Sequence, residues 1–343
     1  MIHPSTSYIL TLPSEQQRLL QFYIGNITYT GKYGQFLDDQ IIGKPFGTFQ
    51  LFEGTMTKIS NVEESWFDKM EVDDYTDKMQ LLINNNQGFN GKTEHAKDKY
   101  IQKHNKKVKN VLRIMPITSQ ALCEYHFKRG PMAILQLNWD ILAIMMTMGN
   151  VEHNGKYLCM DNARGLVVDS IYTRLDTGKV YQIMQTDGEV NDLAVFQKYS
   201  STNYAKATWE KTFTKPEVWQ DRYEMNDDLE KKKLRMGQRI EIRKEILKGE
   251  FSGIFLATRF DENPIIEKLL PLMGGCCQIV VYSPYLAKCS KTYELLRNHP
   301  EFCNVDMYTT HFREYQVLPH RTRPQMKSTS SGGGFVVATR IFE

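Results

Sequence analysis

The sequence predicts an α/β chain with an N-terminal β domain, a small β-barrel followed by a doubly wound sheet. Three observations predict it. The first fifty residues are short aromatic and β-branched runs cut by glycines. From about Tyr157 onward, apolar runs alternate with helical stretches, which calls for parallel strands with crossover helices. The chain then closes on two apolar runs with no helix between them, a pair most simply antiparallel.

In the first region, Tyr8–Leu12, Leu20–Ile24 and Thr48–Phe52 are the strand candidates. Turn signals at Pro13, Gly25, Gly31, Gly34, Gly43 and Gly47 break them. Closely spaced strands with glycine corners suggest a sheet curled into a barrel, expected over residues 1–76. Glu53–Asp77 is acidic and polar and takes no assignment. Residues 77–115 read as a basic helical linker. Met79–Ile83 fits a short helix, Asn84–Gly91 a loop, and Glu94–Val108 a helix with Thr93 as its N-cap. Between Lys92 and Lys109, seven lysines stand against Glu94 and Asp98, a local net of +5. Such a segment is either a solvated face or a site for an anionic partner.

Residues 116–343 form the third region. Tyr157–Met160 is a short strand, Asp161–Gly165 a loop, Leu166–Leu175 helical and Lys179–Met184 a second strand. A charged helix, Leu229–Lys248, carries eight basic and three acidic residues. Phe251–Ala257 is a strand, Pro264–Met273 a helix, Cys277–Tyr282 a buried strand and Tyr285–Asn298 a helix. Val305–Thr310 and Phe335–Ile341 are the closing strands, joined by a basic, glycine-rich connection. Asn191–Gly249, outside that helix, matches no pattern.

Composition fits this architecture. The 343 residues suffice for two domains, and 41% hydrophobic with 24% charged is the mix of a folded chain. The formal charge of +3 is small, so its distribution matters more than its sum. The six cysteines show no C-x-x-C spacing and no companion histidine pattern, and read as reduced thiols rather than metal ligands. No stretch approaches the ~20 apolar residues of a membrane span, and the N-terminus lacks a signal-peptide pattern. Cytosol and nucleus both stay open.

The strand–helix order is the ordinary arrangement of class I S-adenosylmethionine methyltransferases, a Rossmann-like fold. In such folds the loop after the first strand carries glycines so that backbone can approach the cofactor, in the pattern acidic–x–G–x–G–x–G. Here that loop is Asp161, Asn162, Ala163, Arg164 and Gly165, with one glycine at its end. Ala163 and Arg164 add side chains where backbone should come near a ligand. The loop is degenerate, and no cofactor is expected on this chain. After the second strand no carboxylate follows at once; Asp187, a little beyond, is within reach of a ribose. Asp261 and Glu262 read as a helix N-terminal pair ahead of Pro264. The chain has no G-x-S-x-G, P-loop, H-E-x-x-H or G-x-G-x-x-G. Gly332–Gly334 precedes a strand and makes no helix-dipole phosphate site.

Several segments together resemble one family, the non-catalytic subunit of the eukaryotic tRNA (adenine-N1)-methyltransferase that acts on the T-loop. Gly31-Lys32-Tyr33-Gly34-Gln35-Phe36 and Ile42-Gly43-Lys44-Pro45-Phe46-Gly47 resemble its barrel signature. Lys97-Asp98-Lys99-Tyr100-Ile101-Gln102-Lys103 resembles its basic linker helix. Leu122-Cys123-Glu124-Tyr125, Lys128, Pro131 and Asn138-Trp139-Asp140-Ile141-Leu142 resemble the entry to its methyltransferase-like domain. Arg321-Thr322-Arg323-Pro324 with Ser331-Gly332-Gly333-Gly334-Phe335 resembles its C-terminal hairpin.

The resemblance implies a non-enzymatic subunit that pairs with a catalytic paralogue. S-adenosylmethionine is expected on that partner, two heterodimers make a heterotetramer, and tRNA lies across both kinds of subunit in the nucleus. It also implies that Lys97, Lys99, Lys103, Lys106 and Lys107 meet RNA phosphates, and makes helix Leu229–Lys248, with its local net of +5, a weaker RNA candidate. Tyr100 either stacks on the RNA or anchors its helix. Arg321 and Arg323 are planar donors suited to RNA phosphates, and Arg321 either holds the RNA near the partner's active site or makes a salt bridge within the fold. Two other readings stay open: an RNA-independent scaffold on a retired methyltransferase fold, and a self-sufficient methyltransferase with an unusual loop.

Overall fold

The computed structural model describes residues 1–59, 83, 88–89, 91–94, 96–98, 100–101, 110–185, 202–214, 227–310, 315–318, 321–324 and 333–341. It divides into two compact units, Met1–Ala121 and Leu122–Glu343.

In the first unit, β1 (Ser7–Thr11), β2 (Gln17–Gln21), β5 (Gly47–Phe52), β6 (Thr55–Ile59) and β7 (Val111–Pro116) form an antiparallel sheet in the order β2-β1-β7-β5-β6. A separate ribbon pairs β3 (Ile27–Tyr29) with β4 (Gln35–Leu37). Alternation places Tyr8 and Leu10 of β1, Phe49 and Leu51 of β5, and Leu112 and Ile114 of β7 in one core. Phe36 of the ribbon, with Tyr33 and Ile41 from the adjoining turns, enters the same core. Among the described residues the ladder does not join β2 to β6, so the barrel expected from the sequence stands open between those edges in this sheet. Asp38 is buried, and its carboxylate accepts from Tyr23 N at 3.0 Å and Thr28 Oγ1 at 2.6 Å, which satisfies it. Strand β7 lies between β1 and β5. The segment read as a linker over 77–115 therefore ends in a strand of this sheet.

Helix α1 (Ser119–Arg129) leads into the second unit, where α2 (Trp139–Met148) is N-capped by Asn138, whose Oδ1 accepts from Ile141 N at 2.8 Å. The sheet there is built from β8 (Lys156–Asp161), β9 (Lys179–Met184), β10 (Tyr204–Thr208), β11 (Phe251–Ala257), β12 (Met273–Ser283), β13 (Phe302–Thr309) and β16 (Gly334–Arg340). Its order is β10-β9-β8-β11-β12-β16-β13. The first five are parallel, and β16 runs antiparallel to both neighbours. Helices α3 (Leu166–Tyr172), α4 (Asp227–Leu247), α5 (Glu262–Leu269) and α6 (Leu286–Asn298) are the crossovers. Leu158, Ile183, Ile254, Leu256, Ile279 and Val281 form a core with Ile265, Ile266 and Leu269 of α5 and Leu296 of α6. Helices cover the faces of a parallel sheet, which is why its strands read as continuous apolar runs.

Several elements differ from the sequence reading. Helix α5 stops at Leu269 and gives way to a 3-10 turn at Leu270–Leu272, because Pro271 has no N–H to donate back to the carbonyl of Glu267. Strand β12 is longer than Cys277–Tyr282 and is bulged near Cys276, which sits at φ 58°. Strand β10 lies in a stretch that had matched no pattern. Among the described residues, Pro131–Met148 alone has the length and composition of a membrane helix. It folds as a 3-10 turn at Pro131–Ile134, then Leu135 and Gln136 at φ 55° and 57°, then the ten-residue α2. That helix is about 15 Å long, half of a hydrocarbon core. All six cysteines are free thiols, and no group of metal-ligating side chains occurs among the described residues.

The turn into β9 is closed by backbone. Gly178 N donates to His153 O at 3.0 Å, and Lys179 N donates to Gly155 O at 3.0 Å. A Cβ on Gly178 would stand 2.4 Å from Gly155 O and 2.9 Å from Gly155 N, atoms that cannot rotate away. Gly178→Ala is therefore expected to cost about 2–3 kcal/mol by overpacking, read as a lowered denaturant midpoint.

Candidate cofactor loop and nucleic-acid interface

The strand order reverses at β8 and β11, and ligands of open α/β sheets bind beyond the carboxyl ends of such a pair. Asp161 ends β8, paired with Ala257 at the end of β11. Its carboxylate is buried and turned into its own loop. Oδ1 accepts from Ala163 N at 2.7 Å, and Oδ2 accepts from Val167 N at 2.8 Å and Val168 N at 3.1 Å. Those last two are first-turn donors of α3, which helical geometry leaves unpaired. The chain's own carboxylate thus takes the anion position at that helix terminus. Left-handed backbone at Arg164 (φ 60°) and Gly165 (φ 88°) folds the loop back far enough to allow this.

Asn162 closes the crevice from the other side. Its N donates to Ala257 O at 2.8 Å, and its Oδ1 accepts from Arg259 N at 3.1 Å, bridging the ends of β8 and β11. Ala163 is fully buried and Arg164 half-buried. Of the three glycine positions in the expected pattern, Ala163 and Val167 fill two, and only Gly165 remains. These residues do not fit S-adenosylmethionine. Burial pushes the Asp161 carboxyl up to about 6, against the lowering effect of the loop N–H donors. At the second strand end Met184 and Gln185 carry no carboxylate, and Asp187 lies outside the described residues. Asp261 is the N-cap of α5, its Oδ1 accepting from Asn263 N at 3.4 Å. Glu262 is buried, and burial raises its pKa.

The basic segments fall into two described groups. Residues 94, 96–98 and 100–101 of the expected Glu94–Val108 helix are helical. Tyr100 meets the edge of buried Phe89 with ring centroids 5.3 Å apart, and Lys92 Nζ lies 4.7 Å from its centroid. Lys97 Nζ lies 5.9 Å from the Phe89 centroid. Tyr100 thus already has ring partners, a geometry that supports its anchoring alternative. Lys99, Lys103, Lys106 and Lys107 lie outside the described residues. Arg321 and Arg323 sit on β15 (Arg321–Pro324), which pairs with β14 (Tyr315–Leu318). Both arginines are exposed, and neither forms an ion pair among the described residues. Their spacing of two puts them on one face of the hairpin. A third basic group is on the helix that the sequence offers as a weaker RNA candidate: α4 presents Arg235, Arg239 and Arg243 to a cavity beside β10, a placement the sequence does not show. Their four-residue spacing was the available signal.

The Gcd10p family model matches residues 76–245. The chain is 20% identical to the tRNA (adenine(58)-N(1))-methyltransferase non-catalytic subunit TRM6 of Debaryomyces hansenii, an alignment covering 100% of this chain and 87% of that protein. To the protein of that name in Schizosaccharomyces pombe it is 21% identical, with 98% and 91% covered. The Mus musculus counterpart is 25% identical, with 76% and 66% covered. Two solved structures share the fold. One is a SAM-dependent O-methyltransferase from Thermotoga maritima, with a TM-score of 0.58, 11% identity, and 99% and 94% of the two chains covered. The other is the tRNA (m1A58) methyltransferase TrmI from Aquifex aeolicus, with a TM-score of 0.53, 13% identity and 99% of each chain covered.

Proposed function

This chain belongs to the Gcd10p family, and from that premise we propose that it is the non-catalytic, tRNA-binding subunit of a tRNA (adenine(58)-N(1))-methyltransferase. One observation carries the reading. A complete methyltransferase frame surrounds a loop whose carboxylate is consumed by its own backbone. A fold kept without its cofactor chemistry serves by binding, and its partner is a catalytic paralogue that holds S-adenosylmethionine. Two such heterodimers assemble as a heterotetramer with tRNA across both subunit types, in the nucleus.

Within that assembly Lys97, Lys99, Lys103, Lys106 and Lys107 neutralise backbone phosphates, which gives affinity without reading sequence. Arg321 and Arg323 offer planar forks suited to phosphate oxygens, and the lack of a described ion pair for either favours this role over an internal salt bridge. Tyr100 anchors the linker helix. The test is methylation of tRNA by this chain alone, by its catalytic partner alone, and by the two mixed. Activity is expected in the mixture only, with labelled cofactor crosslinking to the partner. Activity from this chain alone would overturn the reading of Asp161–Gly165. Full activity from the partner alone would overturn the need for this subunit.

A further inference from the structure

A third basic surface lies within the second unit, at the edge of the seven-stranded sheet opposite β13. Beside edge strand β10, a cavity of about 510 Å³ is lined by Lys206 and Thr208 of the strand, Lys211 of the following turn, and Arg235, Arg239 and Arg243 of α4. Among the described residues, none that lines it is acidic. The three arginines recur every four residues, so they form a stripe that advances about 6 Å per step along one helix face. On a merely solvated face, acidic side chains would be interspersed with them. Here Glu241 pairs with Lys244 at 2.8 Å, and Glu245 pairs with Lys179 at 2.8 Å while accepting from Tyr181 Oη at 2.9 Å. Both carboxylates are thus engaged elsewhere, and neither lines the cavity.

Three further details point to a ligand. Arg243 donates through Nε to Thr212 O at 3.1 Å, which fixes the guanidinium and leaves its terminal nitrogens without a described partner. Thr208 is more than nine-tenths buried, and its Oγ1 has no hydrogen-bond partner, an arrangement that costs free energy unless something else satisfies it. The turn after β10, Glu210–Thr214, is π-helical, a departure from regular helix that is frequent at functional sites. A regular row of cations matches a repeating anion better than a single small one.

We infer that the groove between β10 and α4 binds the phosphate backbone of RNA, as a contact separate from those of the linker helix and the hairpin. This rests on the tRNA-binding reading. It adds a third electrostatic surface on the methyltransferase-like unit itself, fixed by a strand and a helix rather than by a connecting segment.

The experiment measures binding of labelled tRNA to the complex of this chain with its catalytic partner, across a salt series. Lys206→Gln combined with Arg235→Gln is expected to weaken binding about tenfold near 0.15 M salt and to flatten the log–log salt slope by one to two. Both side chains are exposed, so thermal unfolding should be unchanged. Thr208→Val separates ligand binding from folding. It should leave unfolding unchanged or raise its temperature, because the hydroxyl lacks a partner, while weakening RNA binding about threefold. Unchanged affinity and slope in both variants would overturn the inference, with wild-type binding still supporting the tRNA-binding role. A wild-type complex that binds no tRNA would overturn both. A calorimetric arm uses pyrophosphate as the probe. Binding of pyrophosphate that the double variant abolishes, with tRNA affinity untouched, would make the groove a small-anion site and also overturn the inference.

Discussion

Asp161→Ala is expected to lower the unfolding free energy by about 3 kcal/mol, because it strands three buried backbone donors at once. Ala163 N, Val167 N and Val168 N lose their acceptor, and each orphaned donor costs on the order of 1 kcal/mol or more. The offset is relief of a buried charge, which at neutral pH cancels much of that loss, so the full cost is read at about pH 4 and below. Its size is legible in the pKa, which burial raises from 3.8 to about 6. Between those values the folded chain holds a proton that the unfolded chain has released, so the group's contribution to stability falls as pH rises and levels off above about 6. The fall amounts to about 3 kcal/mol. Asp161→Asn cannot titrate, so the stability difference between wild type and this variant should shift by most of that amount between about pH 3 and 7. Denaturant midpoints at several pH values measure it. A difference constant across that range would mean that the carboxylate is open to solvent and the loop is not sealed.

The features legible in the sequence were those that depend on local pattern. Strand β11 reads directly from Phe251–Ala257, an apolar run that stays buried whatever its neighbours are. The antiparallel β13–β16 pair followed from the missing helix between them. Strand β10 did not show, because it is five residues at the sheet edge with Lys206 exposed in its middle. Strand β7 did not show as part of the first sheet, because its partners β1 and β5 are sixty or more residues away and pairing at that distance leaves no local trace. The candidate site divides the same way. Missing glycines at Ala163 and Arg164 are a fact of the sequence. That Asp161 turns back onto α3 depends on left-handed backbone at Arg164, which a non-glycine residue adopts only rarely. The arginine spacing on α4 was visible, but Lys206 and Lys211 face it only through the fold.

The hairpin carries the larger expected effect on RNA. Arg321 and Arg323 pair with Leu318 and Gln316 across the β14–β15 ladder and share one face, while Tyr315 and Val317 are exposed on the other. Two forked donors one strand repeat apart are held near 7 Å by strand geometry, so both can engage a nucleic-acid strand with little further loss of freedom. Near 0.15 M salt each phosphate contact is worth about fivefold in affinity through counterion release. Replacing both arginines with glutamate also adds repulsion, and the expected loss of tRNA affinity is about 100-fold. Stability should move by less than about 0.5 kcal/mol, because both side chains are exposed and unpaired among the described residues. The double lysine variant discriminates between charge and geometry. It should keep the salt slope but lose part of the affinity, because an ammonium group neutralises a phosphate without gripping two of its oxygens. Binding measured by fluorescence anisotropy across a salt series reads both quantities. If glutamate at both positions leaves affinity and slope where they were, the hairpin does not touch RNA, and its two arginines must serve protein contacts instead.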